Sequence, residues 1–444
     1  MEQPLTRSSD SAAQVPVASP VDVARAVANV LLPMAASGAI VRRPRVMALR
    51  QRLQLDARAV KEMQRLRERY GPGPVQVIPG RRISLVFEPQ DVHRVLNGSP
   101  EPFTPASLEK RGALGHFQPA GVLVSSAEER AHRRPFNEKV LEQGRPVHHH
   151  GEKMAAAIAE EVEALLGHVE FTGTLTWDDF AVMWWRMVRR IVLGDSARDD
   201  ERVTDDLLRL RKDANMSYLK PRRVLRRRRF LEGLQKYVDR AEPGSLAEMV
   251  ATTPAHPDTQ PVQQIPQWLF ASDAAAWASF RALAMLSAYP DAGARAREEV
   301  PSAPDLPYLR SCVLESLRLW PTTPLILRDT TEDTRWENGT LPAGSSIVIF
   351  APFFHRDETR VPEAHRFEPE LWLRERTDED WPFVPFSGGP AMCPGRNVAL
   401  LMASNVLAHL VKDRRWTVSG APPLGPERPV PASFSPFGLT FTPA

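Results

Sequence analysis

The sequence of 444 residues predicts an α+β fold with a helical majority and small β-sheets. Three observations carry this. Most of the chain before Leu319 shows apolar residues at helical spacing. Strand-like runs are confined to an early hairpin and to a later region, 326–381. Turns dense in glycine and proline separate the two kinds of segment.

Taken in order, residues 1–20 are rich in Ser, Pro, Gln and Ala and read as a disordered leader. Residues 21–444 are expected to form a single domain. A helix over 46–70 ends at Gly71-Pro72-Gly73-Pro74. Two short strands follow at 75–78 and 83–87, turning at Pro79-Gly80, and a short helix at 89–96. Residues 98–126 look irregular, and so long a loop in a compact domain is usually functional or disordered. A helix over 128–142 carries Arg130, Arg133 and Arg134 and should kink at Pro135. Helical spacing continues through 152–166, 177–193 and 200–218. The basic run 220–229 reads as a solvated loop and helix start, followed by helix to about Arg240. A connector at 254–266 leads to a long apolar helix over 267–288, and another helix spans 307–319.

Composition narrows the function classes. A hydrophobic share of 43% is ample for a core, and a net charge of +3 gives no reason to expect nucleic-acid binding. Two cysteines exclude a multi-bridge disulfide framework and a four-cysteine metal site, and suit a reducing compartment. Residues 21–41 are fairly apolar, but Asp22, Arg25, Asn29 and Pro33 interrupt them, so no transmembrane segment is expected. With no secretory pattern, a cytoplasmic location is expected.

The chemistry concentrates at Phe386-Ser387-Gly388-Gly389-Pro390-Ala391-Met392-Cys393-Pro394-Gly395-Arg396. A glycine-rich loop before a helix can aim backbone N–H groups at a sulfur and spread the charge of a metal-bound thiolate. Upstream, Glu315-Ser316-Leu317-Arg318 puts an acid and a base three apart on one helix face, where they can pair. Between them lie Leu327-Arg328-Asp329-Thr330-Thr331 and Leu341-Pro342-Ala343-Gly344.

The spacing Phe386, Gly389, Cys393, Gly395 resembles the haem-ligand loop of the cytochrome P450 family, soluble and bacterial-type. The order of the Glu-x-x-Arg and cysteine motifs is far more specific than either alone. The resemblance runs from about Val46 to the C-terminus and is strongest after Gln267. It implies haem b, with Cys393 as the iron ligand. It also implies Glu315 and Arg318 as a buried structural pair. Arg328 would then bind a haem propionate, together with Arg130 and Arg134 or, in a register shifted by one, Arg133. Arg396 is a further donor, and planar guanidinium groups suit carboxylates. Substrate contacts are expected from Phe103, Phe117, Val122 and Leu123, from Phe270 and Ala271, and from Thr323, Leu325 and Phe437.

The sequence also departs from the family. Its long helix should carry an acid–alcohol pair that relays protons, and alignment places Ala274 and Ala275 there. Ser272 and Asp273 are adjacent, but one position is about 100° of helix rotation. Ala391 stands where a propionate-binding His or Arg is usual, and Leu371 where an arginine often joins the Glu-x-x-Arg pair.

The leading expectation is a haem-thiolate monooxygenase acting on a small organic molecule, with a role in secondary metabolism and a ferredoxin-type electron donor. The two alanines motivate an alternative, a peroxide-driven oxidation or an oxygen-independent rearrangement or group transfer. A non-catalytic haem-binding sensor or carrier is the third reading.

Overall fold

The computed structural model describes residues 13–300, 305–375, 377 and 382–444. Helix takes up 57% of the chain against ten short strands among the described residues, which is the expected mainly-α arrangement. The strands are β1 (Val75–Ile78), β2 (Ile83–Leu85), β3 (Phe103–Thr104), β4 (Leu175–Thr176), β5 (Leu325–Thr330), β6 (Thr334–Trp336), β7 (Gly339–Leu341), β8 (Ser346–Phe350), β9 (Trp416–Ser419) and β10 (Thr440–Pro443). Five of them form one sheet in the order β1-β2-β8-β5-β3, with only β2 and β8 parallel. Arg328 and Asp329 fall in β5, pairing with Ile347 and Ser346.

Two apolar cores divide the molecule. The sheet-side core gathers Val75, Leu85, Phe87, Ile347, Val348 and Phe350 with Val30 and Met34 from the first helices. The helical core is built on Gly151–Thr172, Trp177–Leu193, Ile265–Ala288, Pro307–Leu319 and Arg396–Val411. The helices Ile265–Ala288 and Arg396–Val411 are apolar on nearly every side, because each is packed between other elements rather than lying at the surface. Phe180, Phe280 and Phe441 are fully buried there, each contributing about 2–3 kcal/mol of apolar burial.

Local sequence explains the boundaries. Capping boxes open two helices, Ser126 with Glu129 and Thr176 with Asp179. Pro307 begins the 307–319 helix at a position that needs no N–H donor, and that helix has the limits its sequence predicts.

Several expectations need correction. Residues 13–20, read as leader, pack against the sheet: Val15 is buried, and backbone bonds join it to Thr340 and Ala18 to Gln76. The rest of that leader, residues 1–12, lies outside the described residues. The helix read over 46–70 is two, Pro44–Arg52 and Leu55–Tyr70, broken where Gln54 takes a left-handed φ of 47°. The irregular 98–126 stretch contains β3 and a helix at Leu108–Leu114, capped by Ser107. In the basic run the helix start is as expected, with six of its ten residues within Val224–Arg240, but Arg223 and Arg226 are paired with Asp213 and Asp206.

Candidate functional site: the cysteine loop and its cations

Cys393 is fixed by backbone geometry. Its N–H donates to the Phe386 carbonyl at 3.0 Å, and Met392 N–H donates to Gly389 O at 3.0 Å, closing the loop on itself. Gly389 has φ of +62°, and a Cβ there would sit 2.3 Å from the Leu96 carbonyl oxygen, so no other residue fits without displacing backbone. The helix Arg396–Val411 starts just beyond. Burial pushes the Cys393 thiol up, while the Gly395 N–H and the charges of Arg134 and Arg396 oppose that shift. These are the donors a thiolate would need.

Behind the loop, Glu315 and Arg318 form a fully buried pair. Arg318 Nε donates to Glu315 Oε2 at 2.8 Å, and the rest of its guanidinium reaches the carbonyls of His355, Glu363 and Arg366. Leu371 cannot supply the usual third charge. Instead the Trp372 indole N–H donates to Glu315 Oε2 and the Glu368 backbone N–H to Oε1, both at 2.9 Å. His355 then links this cluster forward. Its Nδ1 meets the Arg318 carbonyl at 3.1 Å, and its Nε2 accepts the Val384 N–H at 3.0 Å, at the entry to the cysteine loop.

The sequence-predicted arginines separate into different positions. Arg328 donates to Ser99 Oγ, to its neighbour's carbonyl and to Ser387 Oγ of the loop. Arg130 has one bond, to the Val122 carbonyl at 3.3 Å. Burial pushes both guanidinium groups down to about 10, with Arg134 adding to the effect on Arg130, and Arg130 to that on Arg328. Lys110, which the sequence did not single out, joins them: its ammonium donates to the carbonyls of Pro105 and Leu327, and burial drives its pKa down strongly, helped by Arg328. Among the described residues none of these three cations has an ion-pair partner. Arg134 acts on the loop itself, donating to the Met392 carbonyl at 2.7 Å. Arg133 turns away, to Glu129, Ser125 and the Asp258 carbonyl.

The long helix offers no free proton donor at the aligned positions. Ser272 is buried and its hydroxyl donates to the Leu269 carbonyl at 2.7 Å. Asp273 is bound to Arg211, which is itself buried and lies 4.9 Å over the Phe270 ring. Ala274 and Ala275 have nothing to give. Of the expected pocket residues, Phe117 and Phe270 meet edge to face at 5.4 Å with Leu123 packed against the same core, Val122 is buried with its carbonyl taken by Arg130, and Phe437 packs on Trp177 and Trp277. Thr323 is exposed and Leu325 half-buried at the start of β5. Phe103 does not join them. Its place in β3, against Trp336 at 5.9 Å, puts it in the sheet-side core.

Residues 258–435, which contain both motifs, match the cytochrome P450 family model. Through them this part of the chain is similar to cytochrome P450 proteins. It is 34% identical over 141 residues to probable cytochrome P450 4s3 of Drosophila melanogaster, covering 30% of this chain and 28% of that one. It is 35% identical over 147 residues to sugiol synthase of Salvia miltiorrhiza, covering 30% of each. Cytochrome P450 4c21 of Blattella germanica is 35% identical over 124 residues, 27% of this chain and 25% of the relative. The matches therefore span under a third of the length of these relatives.

Cytochrome P450 proteins bind haem b. The residues of this chain fit that group. A partly buried thiol has an N–H aimed at it, and the cations Arg130, Arg328 and Lys110, with no ion-pair partner among the described residues, would neutralise two propionates.

Proposed function

We propose that this chain is a haem-thiolate monooxygenase of a small organic molecule. The observation that carries the proposal is Cys393, held under the Gly395 N–H and between Arg134 and Arg396. Cys393 would ligate the iron. Arg130, Arg328 and Lys110 would hold the propionates, and Arg134 would keep the loop in register through Met392. When bound, the group would supply the oxygen chemistry; the protein's contribution is to bind, orient and exclude water. Phe117, Val122, Leu123, Phe270, Ala271 and Phe437 would line the substrate space. A ferredoxin-type donor, a cytoplasmic location and a role in secondary metabolism complete the proposal. Among the described residues no helix is long and apolar enough to cross a membrane, which accords with that location. The reduced, carbon-monoxide-bound spectrum tests it: a red-shifted thiolate band is expected in wild type and not in Cys393→Ser. Its absence from folded wild-type protein would overturn the reading.

A second reading is favoured by the long helix. With Ser272 bonded to the backbone, Asp273 held by Arg211, and alanines at the relay positions, no side chain there is placed to move a proton to the distal face. A reaction that brings its own proton, from peroxide or from a polar substrate group, suits such a helix better. Turnover with hydrogen peroxide and no reductase, or turnover without oxygen, would select it over the first. Turnover only with a reductase, NADPH and oxygen would reject it.

A further inference from the structure

A second group of buried cations lies beyond the residues used so far. A cavity of about 30 Å³ opens between the long helix, the segment after the Glu-x-x-Arg helix and the C-terminal turn. Arg42, Arg50 and Arg281 line it, and Asp56 is the one carboxylate among its lining residues, leaving an excess of two positive charges. Asp56 is already used by Arg50 and by Ser433 Oγ, the latter at 2.7 Å. Arg281 is 5% exposed, donates through Nη1 to the Trp320 carbonyl at 3.2 Å, and keeps a buried Nε with no partner among the described residues. Burial, with Arg42 and Arg50 beside it, pushes its pKa down to about 9. Arg42 reaches the carbonyls of Gly38 and Thr322 and lies 5.6 Å over the Trp277 ring. Buried guanidinium groups are normally balanced by carboxylates. Here the balance is missing, and the space beside them takes roughly two water-sized groups.

We propose that this cavity binds the carboxylate of an organic-acid substrate, with Arg281 and Arg42 as its donors. The assignment rests on the enzymatic reading above. Helix geometry then fixes where the rest of the molecule lies. Arg281 is seven residues beyond Ala274, close to two turns, so both share one face about 10 Å apart. Trp277, three residues after Ala274 and four before Arg281, lies on that same face, and it meets Phe437 edge to face at 6.2 Å in the cavity wall, an aromatic surface that suits an aryl body. The acid is thus held at one end and the reacting carbon presented at the other, which makes this site a determinant of both substrate class and regiochemistry.

Calorimetric titration of the haem-loaded full chain tests this, using 5-phenylpentanoate and its neutral counterpart 5-phenylpentanamide. The acid is expected to bind at least tenfold more tightly than the amide. In Arg281→Gln that preference should fall to near one while the amide is unaffected. If Arg281→Gln does not fold, the more accessible Arg42→Gln carries the same comparison. Equal affinities in wild type overturn the proposal without any variant. So does a preference that survives both substitutions. Inorganic phosphate, titrated alone, separates the sources of the oxyanion. One-to-one phosphate binding lost in Arg281→Gln, with acid and amide alike, would mean a free-ion site and overturn the substrate assignment. The calorimetric ratio is independent of the thiolate band, so failure of the haem reading and failure of this one are seen separately.

Discussion

Replacing Trp372 with phenylalanine tests how the buried Glu315–Arg318 pair is completed. The indole N–H is one of two neutral donors on a carboxylate with no solvent exposure, and it contacts Oε2 at 2.9 Å. A hydrogen bond to a buried charged acceptor contributes about 1.5–3 kcal/mol. Phenylalanine keeps most of the ring beside Phe383, whose centroid is 6.1 Å away, but removes the donor. Glu315 would keep Arg318 and the Glu368 N–H, so the fold should survive with an unfolding constant raised roughly 10- to 100-fold. Urea denaturation followed by far-UV circular dichroism gives that constant, and an unchanged m-value shows that the same transition is compared. Combining Trp372→Phe with Glu315→Gln isolates the bond from lost ring volume, because the cavity term cancels in the cycle. A Trp372→Phe protein as stable as wild type, or a cycle with no coupling, would refute the idea that indole replaces the missing arginine.

Three further outcomes follow from the same geometry. Burial and the neighbouring Glu88 push the Asp91 carboxyl up to about 6, so its ionisation costs stability that is absent below pH 3.8 and complete above pH 6. Asp91→Asn should therefore stabilise the protein by about 3 kcal/mol at pH 7.5, with the gain vanishing as the pH falls well below 3.8, read from paired urea titrations. Gly389→Ala puts a Cβ against the Leu96 carbonyl in a left-handed conformation costing about 1–2 kcal/mol before the clash. It should lower haem content measured as the pyridine complex, and full content would reject the loop geometry. Arg328→Ala and Lys110→Met each remove a cation from the same cluster. Each should speed haem transfer to apomyoglobin about tenfold or more, as expected for a lost charged hydrogen bond, and an unchanged rate would exclude that residue from propionate binding.

What the sequence made legible was whatever is encoded locally. The helix 307–319 has a proline start, an apolar face and a proline just past its end, and its predicted limits are the observed ones. The cysteine loop carries its own signature, including Gly389, whose left-handed conformation and close approach to Leu96 no other residue adopts cheaply. Partners supplied from far along the chain were not legible. Nothing near Asp273 announces Arg211, 62 residues earlier, and nothing near Glu315 announces Trp372. Lys110 was passed over because the stretch around it has too few apolar residues to show a period, and its helix is set by the Ser107 cap and by packing. The resemblance places Phe103 with the substrate loop, whereas its two-residue strand is fixed by pairing with β5. Residues 13–20 have a composition typical of disorder, and they are ordered by strand edges they meet only in the folded chain.

The close approach of Gly389 to Leu96 has a consequence for assembly. Leu96 belongs to the sheet-side core and Phe386 packs on the helical core, so the cysteine loop is a seam between two bodies. The residues proposed to grip the cofactor come from both sides of that seam: Arg328 from β5, Lys110 and Arg130 from helices far earlier in the chain. A fragment carrying only the signature motifs would have the sulfur without the floor beneath it or the cations around it. Haem capture would then report that distant parts of the polypeptide have met, and the coloured protein would be, in effect, a certificate of completed folding.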